Sequence, residues 1–356
     1  MNDQILEPDF TSIKTEHVTL PYRSEPYLRF SYTDPMLSQY EVTVIADSKP
    51  EHLKDKEDEG NRIFTIIARF PRCILSEVNT HRQFSRNSAS SRARSVKVTI
   101  GDVMNDPYIP LFTYNKKGMS GGFVSAADRA RMIDNHLSAR DAAVSHEIQA
   151  LMGDMHEKYD ACDWSDLLDE YYAHVYTSDE PHPDALNMHK QNANRYIEPF
   201  MFHEALITSV WWQNFLDLRT DLSAAQPEIV ALAKLVEKAL EVSEPEITWL
   251  HLPFAESVPS KTDSFDSLYH DLLLSATNCA QISYRDKSRA SKSTATTRLG
   301  ETLLEKGHLS PFEHIAFDTL AYTDFTDDNL SRDSRALASN LGDNWIQLRH
   351  VLTAKK

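Results

Sequence analysis

Glycine is scarce in this 356-residue chain: there are nine, and none falls in a GxGxxG or GxxxxGK[ST] pattern. Those loops close backbone amides around phosphate, so a phosphate bound here has to be held by side chains. Cysteine is scarcer still. Cys73, Cys162 and Cys279 lie far apart with no CxxC, which points to neither a disulfide framework nor a cysteine zinc site and reads them as small buried hydrophobes. No apolar run reaches the roughly 18 residues of a membrane helix. The opening MNDQILEPDF has neither the basic nor the apolar region of a signal peptide, so the expectation is a cytoplasmic protein with no membrane partner. Positive charge is also in deficit, with 37 Lys and Arg against 53 Asp and Glu and a net charge of −16. That balance argues against nucleic acid as a partner, since binding it needs broad positive charge. A small anion at one focused site stays open.

Against that background THRQFSRNSASSRARSVKV, residues 80–98, places Arg82, Arg86, Arg92, Arg94 and Lys97 among serines and amides. Taken alone it has three readings: a serine–arginine tail, a solvated basic turn, or a phosphate site built from hydroxyls and guanidinium forks. Around it, residues 1–40 are polar and proline-punctuated and read as an N-terminal extension, with residues 41–356 a single domain. YEVTVIA (40–46) and RIFTIIARF (62–70) read as strands, and Pro71 opens a helix into the basic stretch. A capping-box start at Ser125 leads a helix through Ile133, Leu137, Val144, Ile148, Leu151 and Met155, within an inserted helical region of about 100–185. FMFHEALITSVWWQNFLDLR (200–219) reads as one buried helix with Ile207, Trp211, Asn214 and Leu218 on a shared face, and Pro227 begins another. Residues 265–278 and 299–307 read as helices, HIAFDTLAY (314–322) as a strand, and the basic, hydroxyl-rich 285–298 as either a second anion-facing loop or an exposed one. Together these elements predict an α/β (α+β) fold, a mixed sheet flanked by helices.

Three segments carry chemistry. Beside the basic stretch stand residues 194–229, with Arg195 before the apolar run and Arg219 at its end, and GHLSPFEH (307–314), with His308, Glu313 and His314. His308 and His314 are six apart, which fits no common metal-ligand spacing, and no metal is expected. Jointly the segments resemble the flavin-dependent thymidylate synthase (ThyX) family. The family's Arg-His-Arg and serine–arginine series stands here as Thr80-His81-Arg82, Asn87, Ser90, Ser91 and Arg92. Its second block stands as Arg195, Glu198-Pro199, Asn214-Phe215-Leu216, Leu218-Arg219 and Ala225-Gln226-Pro227-Glu228-Ile229, and its Gly-His-x-Thr-Pro-Phe-Glu-His as GHLSPFEH, preceded by CAQISY (279–284). In the common form the last block comes first, so this chain looks circularly permuted, a diverged phage-type member that would work in the host cytoplasm.

The resemblance implies a homotetramer with active sites shared between subunits, FAD as cofactor, NADPH and methylenetetrahydrofolate as cosubstrates, and a pyrimidine deoxynucleotide monophosphate, by default dUMP, methylated at C5 to dTMP. Hydroxymethylation of dUMP or dCMP, and a catalytically silent nucleotide-binding homologue, are the alternatives. By the same resemblance His81, Arg82, Asn87, Asn214, Ser283, His308 and Ser310 are cofactor-side residues, and Ser90, Ser91 and Arg92 meet the phosphate. Arg195 and Arg219 lie near the pyrimidine, Arg219 as the charge facing the developing oxyanion. Several positions depart from the family. Thr80 replaces an arginine, Ser88 stands for a glutamate and Glu77 for a glutamine, both still on the substrate side, while Thr208 and Val210 stand for an asparagine and an arginine. The C-terminal NWIQLRH (344–350) either brings Gln347 or Arg349 into the site as a replacement or packs as an amphipathic terminus.

Overall fold

The computed structural model describes residues 4–55, 62–117, 121–153, 164–178, 180–261, 265–282, 297–321 and 340–354. Six strands form an antiparallel path: β1 (Ile13–Val18), β2 (Tyr27–Tyr32), β3 (Glu41–Pro50), β4 (Ile63–Pro71), β5 (Ser85–Ser88) and β6 (Phe202–Ser209), ordered β1-β2-β3-β4-β6-β5. β7 (Glu246–Thr248) pairs in parallel with β3, which makes the seven-stranded sheet mixed. A second, three-stranded antiparallel sheet joins β8 (Leu250–His251), β9 (Ala316–Asp318) and β10 (Trp345–Gln347) in the order β10-β9-β8. The large sheet is thus a mixed sheet flanked by helices.

Both central strands are apolar on two faces because both faces are covered. In β4 the run IFTIIARFP is buried almost throughout, as expected of a strand with partners on both edges. Its neighbour β6 corrects the sequence expectation of a helix over 200–219. FHEALITS is a strand, and only Gln213–Arg219 is helical. The apolar run is short enough to suit either structure, and the β-branched pair Ile207-Thr208 favours the strand. The proposed shared face does not exist either, since Asn214 and Leu218 are exposed. Residues 1–40, read as an extension, supply β1 and β2 of the large sheet.

The helices in chain order are α1 (Leu75–Thr80), α2 (Val96–Asn105), α3 (Ala126–Met152), α4 (Trp164–Ser178), α5 (Lys190–Ala193), α6 (Gln213–Arg219), α7 (Pro227–Val242), α8 (Phe265–Gln281), α9 (Arg298–Glu305) and α10 (Leu348–Ala354). Ser125 caps α3 by accepting from the Asp128 amide, and Pro227 opens α7, both as the sequence indicates. α7 buries Ile229, Val230, Leu232, Leu235 and Val236 with Phe30, Val42, Phe64 and Ile66 of the sheet. The Tyr32 hydroxyl fixes its azimuth by donating to the Ala231 carbonyl at 2.8 Å. A second core joins α2, α3 and α4 through Val96, Ile100, Val144, Ile148, Leu151 and Leu168. A third packs α8 on the small sheet through Leu250, Leu272, Leu273, Phe312 and Phe317. The strand expected over 314–322 shrinks to three residues and turns helical at 319–321. Cys279 is buried as expected, Cys73 is exposed, and Cys162 lies outside the described residues. Among the described residues no helix is long and apolar enough to cross a membrane.

Candidate functional site

The basic stretch begins at the C-terminus of α1, continues as β5 on the edge of the large sheet, and then leaves the sheet as a turn that ends at the α2 N-cap, Ser95. The turn is held by its backbone. The Asn194 side-chain amide, wholly buried, donates to the carbonyls of Ser91 at 2.8 Å and Arg94 at 3.1 Å. The Ala89 amide donates to the Glu204 carbonyl at 3.3 Å, and the turn closes on itself through Ala93 N–H to Ser90 O at 2.9 Å. With the backbone fixed, the side chains of Ser90 and Arg92 are left exposed. Arg92 has no hydrogen-bond or salt-bridge partner for its guanidinium among the described residues, and hydroxyls beside an uncommitted fork suit a phosphate dianion.

Of the other cations of the stretch, Arg82 is likewise exposed without a partner among the described residues, and three are committed. Arg94 pairs with Asp102, and Lys97 with Asp169 at 2.5 Å. Arg86 donates Nη1 to the carbonyls of Val78 at 3.1 Å and His81 at 3.4 Å. A layer below, Arg72 bridges Glu198 at 2.9 Å and His203 Nδ1 at 3.1 Å. Burial, then Arg72 and Arg94, push His203 down to about 3, so its ring is neutral.

A second cluster forms where α6 meets α1. Arg219, the last residue of α6, donates Nε to His81 Nε2 at 3.2 Å, Nη1 to Glu77 Oε2 at 3.3 Å and Nη2 to the Thr80 hydroxyl at 3.5 Å. Burial, then the charges of Arg219 and Arg86, push His81 down to about 4. The ring is therefore neutral, and because Nε2 accepts from Arg219 its proton lies on Nδ1. Phe84 and Phe215 pack on the same ring at 5.6 and 5.0 Å. Arg219 is thereby a guanidinium of fixed direction, paired with the Glu77 carboxylate and set beside a neutral acceptor.

The third segment reaches β5 from the far end of the chain. Asn87 donates Nδ2 to the Cys279 carbonyl of α8 at 3.5 Å. The 3-10 turn Ser310–Glu313 is tied to β5 by Gln347, whose Nε2 donates to the Ser85 hydroxyl at 2.9 Å and the Glu313 carbonyl at 2.8 Å. Arg349 pairs with the Glu313 carboxylate. Gln347 is thus buried next to β5, while Arg349 is exposed and paired with Glu313.

The remaining expected residues fall as follows. Arg82, Asn214, His308 and Ser310 are exposed, and no side-chain hydrogen bond or ion pair among the described residues occupies them. His314 points inward, with Nδ1 at 2.7 Å from the Thr208 hydroxyl. Ser88 is half-buried at the end of β5. Arg195 is exposed beside the 90–94 turn as the neighbour of Asn194, and no contact among the described residues joins it to Arg219. Ser283 and most of 285–298 lie outside the described residues. Thr208 and Val210, where the resembled family has polar residues, are both buried: Thr208 hydrogen-bonds within the core and Val210 packs on Trp345 and Leu341. Sequence reading missed Asn194, Arg72 and His203. Asn194 stands directly before the singled-out Arg195, but its partners are carbonyls 100 and 103 positions away, and no local pattern announces them.

No family model matches the chain, and no curated protein matches it. Among solved structures it is similar to a UMP/dUMP methylase, PolB, from Streptomyces cacaoi bound with 5-Br UMP, at 16% identity and a TM-score of 0.35 over 56% of this chain and 87% of that one. The same methylase bound with 5-Br dUMP is similar at 14% identity and a TM-score of 0.34, over 56% of this chain and 88% of that one.

Proposed function

We propose that this protein is a flavin-dependent enzyme of the ThyX type that alkylates a pyrimidine deoxynucleotide monophosphate at C5, dUMP to dTMP, in a chain of permuted order. The observation that carries the reading is the gathering of three distant segments on and just before one strand, β5. Arg219 reaches His81 at 3.2 Å, Asn87 reaches the Cys279 carbonyl at 3.5 Å, and Gln347 joins Ser85 to the Glu313 carbonyl. These are the segments that the resemblance requires to meet, and their order along the chain is irrelevant once they do.

In this reading the anchored turn takes the nucleotide phosphate on the Ser90 and Ser91 hydroxyls and the Arg92 guanidinium. Arg219, aimed by Glu77 and neutral His81, supplies positive charge against the oxyanion that develops on the base. FAD, when bound, supplies hydride chemistry that no side chain here provides. Its donors and acceptors would be Arg82, Asn214, His308 and Ser310, whose exposed polar atoms are open to a ligand, together with His81 and Asn87. NADPH and methylenetetrahydrofolate are the cosubstrates, and a homotetramer with shared sites accounts for cofactor-side residues that stand exposed on a single chain.

The test is the mass of the nucleotide recovered after incubation with FAD, NADPH, methylenetetrahydrofolate and either dUMP or dCMP. A methyl gain on dUMP is the expected result. A hydroxymethyl gain, or reaction with dCMP alone, replaces it with nucleotide hydroxymethylation. Nucleotide bound but unchanged overturns the enzymatic reading in favour of a silent binding homologue, a reading to which the loss of polar contacts at Thr208 and Val210 lends weight.

A further inference from the structure

Five buried polar groups form an unbroken hydrogen-bonded chain through the core. Ser48 Oγ lies 2.8 Å from His251 Nδ1, and His251 Nε2 lies 2.8 Å from Thr65 Oγ1. Thr65 Oγ1 lies 2.6 Å from Thr208 Oγ1, and Thr208 Oγ1 lies 2.7 Å from His314 Nδ1. The route is dictated by topology. Thr65 and Thr208 are register partners on β4 and β6, Ser48 is on β3, and His251 reaches across from β8 of the small sheet. All five are at most 4% exposed. One end is Ser48, which lines a cavity of roughly 450 Å³ together with Leu28, Val44, Asp47, Leu252 and Val258. The other end is His314 of GHLSPFEH, whose Nε2 is buried with no hydrogen-bond partner among the described residues.

Both rings are neutral, because full burial pushes each down to about 3. A neutral histidine has one ring proton and each hydroxyl has one. The four contacts need one proton each and five are present, so one is left over. If His251 carries its proton on Nε2, it donates to Thr65, Thr65 to Thr208 and Thr208 to His314 Nδ1, while Ser48 donates to His251. The surplus is then an N–H on His314 Nε2, buried and unpartnered. If His251 carries its proton on Nδ1, every bond reverses and His314 donates Nδ1–H to Thr208. The surplus is then the Ser48 hydroxyl proton, beside a cavity large enough for water. Mixed arrangements leave two protons or none in one contact. A buried orphan N–H is rare in native structures, so the second arrangement is the stable one.

We infer that the chain holds His314 as the Nδ1–H tautomer with a bare Nε2, and that Ser48, four groups away across two sheets, is a positioning residue for that ring. At this buried point the GHLSPFEH segment then carries a hydrogen-bond acceptor that cannot donate a proton. The inference rests on the hydrogen-bond geometry together with the neutrality of both buried rings, and does not depend on the nucleotide chemistry proposed above.

The test is a long-range proton–nitrogen correlation spectrum of the nucleotide-free, full-length protein labelled with nitrogen-15 histidine. The expected spectrum has His314 Nε2 and His251 Nε2 unprotonated and both Nδ1 atoms protonated. A protonated His314 Nε2 overturns the assignment. Ser48→Ala removes the acceptor of His251 Nδ1–H, so the two arrangements become balanced and the His314 Nε2–H form should rise at least severalfold. In a Thr65→Val background, which cuts the chain, Ser48→Ala should leave His314 unchanged. An unaltered His314 in Ser48→Ala alone overturns the positioning role, whether or not the protein proves to act on a nucleotide.

Discussion

The turn after β5 and the end of α6 each present an arginine, and they hold it in opposite ways. Around Arg92 the order lies in the backbone: Asn194 grips two carbonyls, and the guanidinium is left exposed with no bond among the described residues. Around Arg219 the order lies in the side chain, since Glu77, His81 and Thr80 take all three nitrogens. A free guanidinium on a fixed turn gains full charged hydrogen bonds when an anion arrives from solvent. A guanidinium already bound gains less on binding but cannot swing away, so its charge acts in a constant direction during a reaction. The first arrangement suits affinity and the second suits turnover.

The sharpest way to break this contrast is Arg219→Ala. Turnover in the nucleotide assay should fall by about 100-fold or more, the scale of losing one preorganised donor, with nucleotide affinity changed less than about threefold. A loss confined to affinity would merge the two arginines into one binding role. Arg92→Ala should do the reverse and weaken nucleotide binding by about 1.5 to 3 kcal/mol, read by calorimetry. Unchanged affinity would remove the phosphate assignment.

His81 sharpens the contrast through pH. Its ring is pushed down to about 4, from a usual value of 6.5, by burial and then by Arg219 and Arg86. Between those values the unfolded chain takes up a proton that the folded chain refuses, so stability falls as pH falls through that window. For this one group the slope is at most about 1.4 kcal/mol per pH unit. Urea unfolding at pH 5 and 7 should show a smaller difference for His81→Gln than for the native chain, and an equal difference would mean that His81 is not held neutral. The smallest effect belongs to Arg94→Gln. Arg94 is spent on an exposed Asp102, a pair of the kind that contributes about 0–1 kcal/mol, so nucleotide affinity should stay within about threefold. A loss as large as that of Arg92→Ala would show the basic stretch acting by its summed charge and not through the fork of Arg92.

Much of the fold was legible because local rules were strong. The Ser125 cap, the Pro227 start and the strands read over 40–46 and 62–70 are each set by residues within a few positions of one another, though the first strand runs on to Pro50. FHEALITS was not legible, because a short run buried on both faces looks the same whether helix or sheet covers it. In the candidate site the singled-out Arg92 is exposed on a fixed turn, and His81 and Arg219 are hydrogen-bonded to each other. The residues that hold them, Asn194, Gln347 and the Thr65–Thr208 pair, are ordinary polar residues whose partners are remote in sequence.

By itself the sequence determined which groups are present and which are missing: too few glycines for a phosphate loop, five cations crowded into one stretch of an acidic chain, and three motif-like segments. Only the tertiary structure decided which of those charges remain available. Arg94 and Lys97 are paired with Asp102 and Asp169, Arg86 has a nitrogen occupied by two carbonyls, and Arg82 and Arg92 have no side-chain partner among the described residues. The reason is that composition is a property of residues, whereas an uncommitted charge is a property of the space around it, and that space is filled by groups drawn from distant parts of the chain.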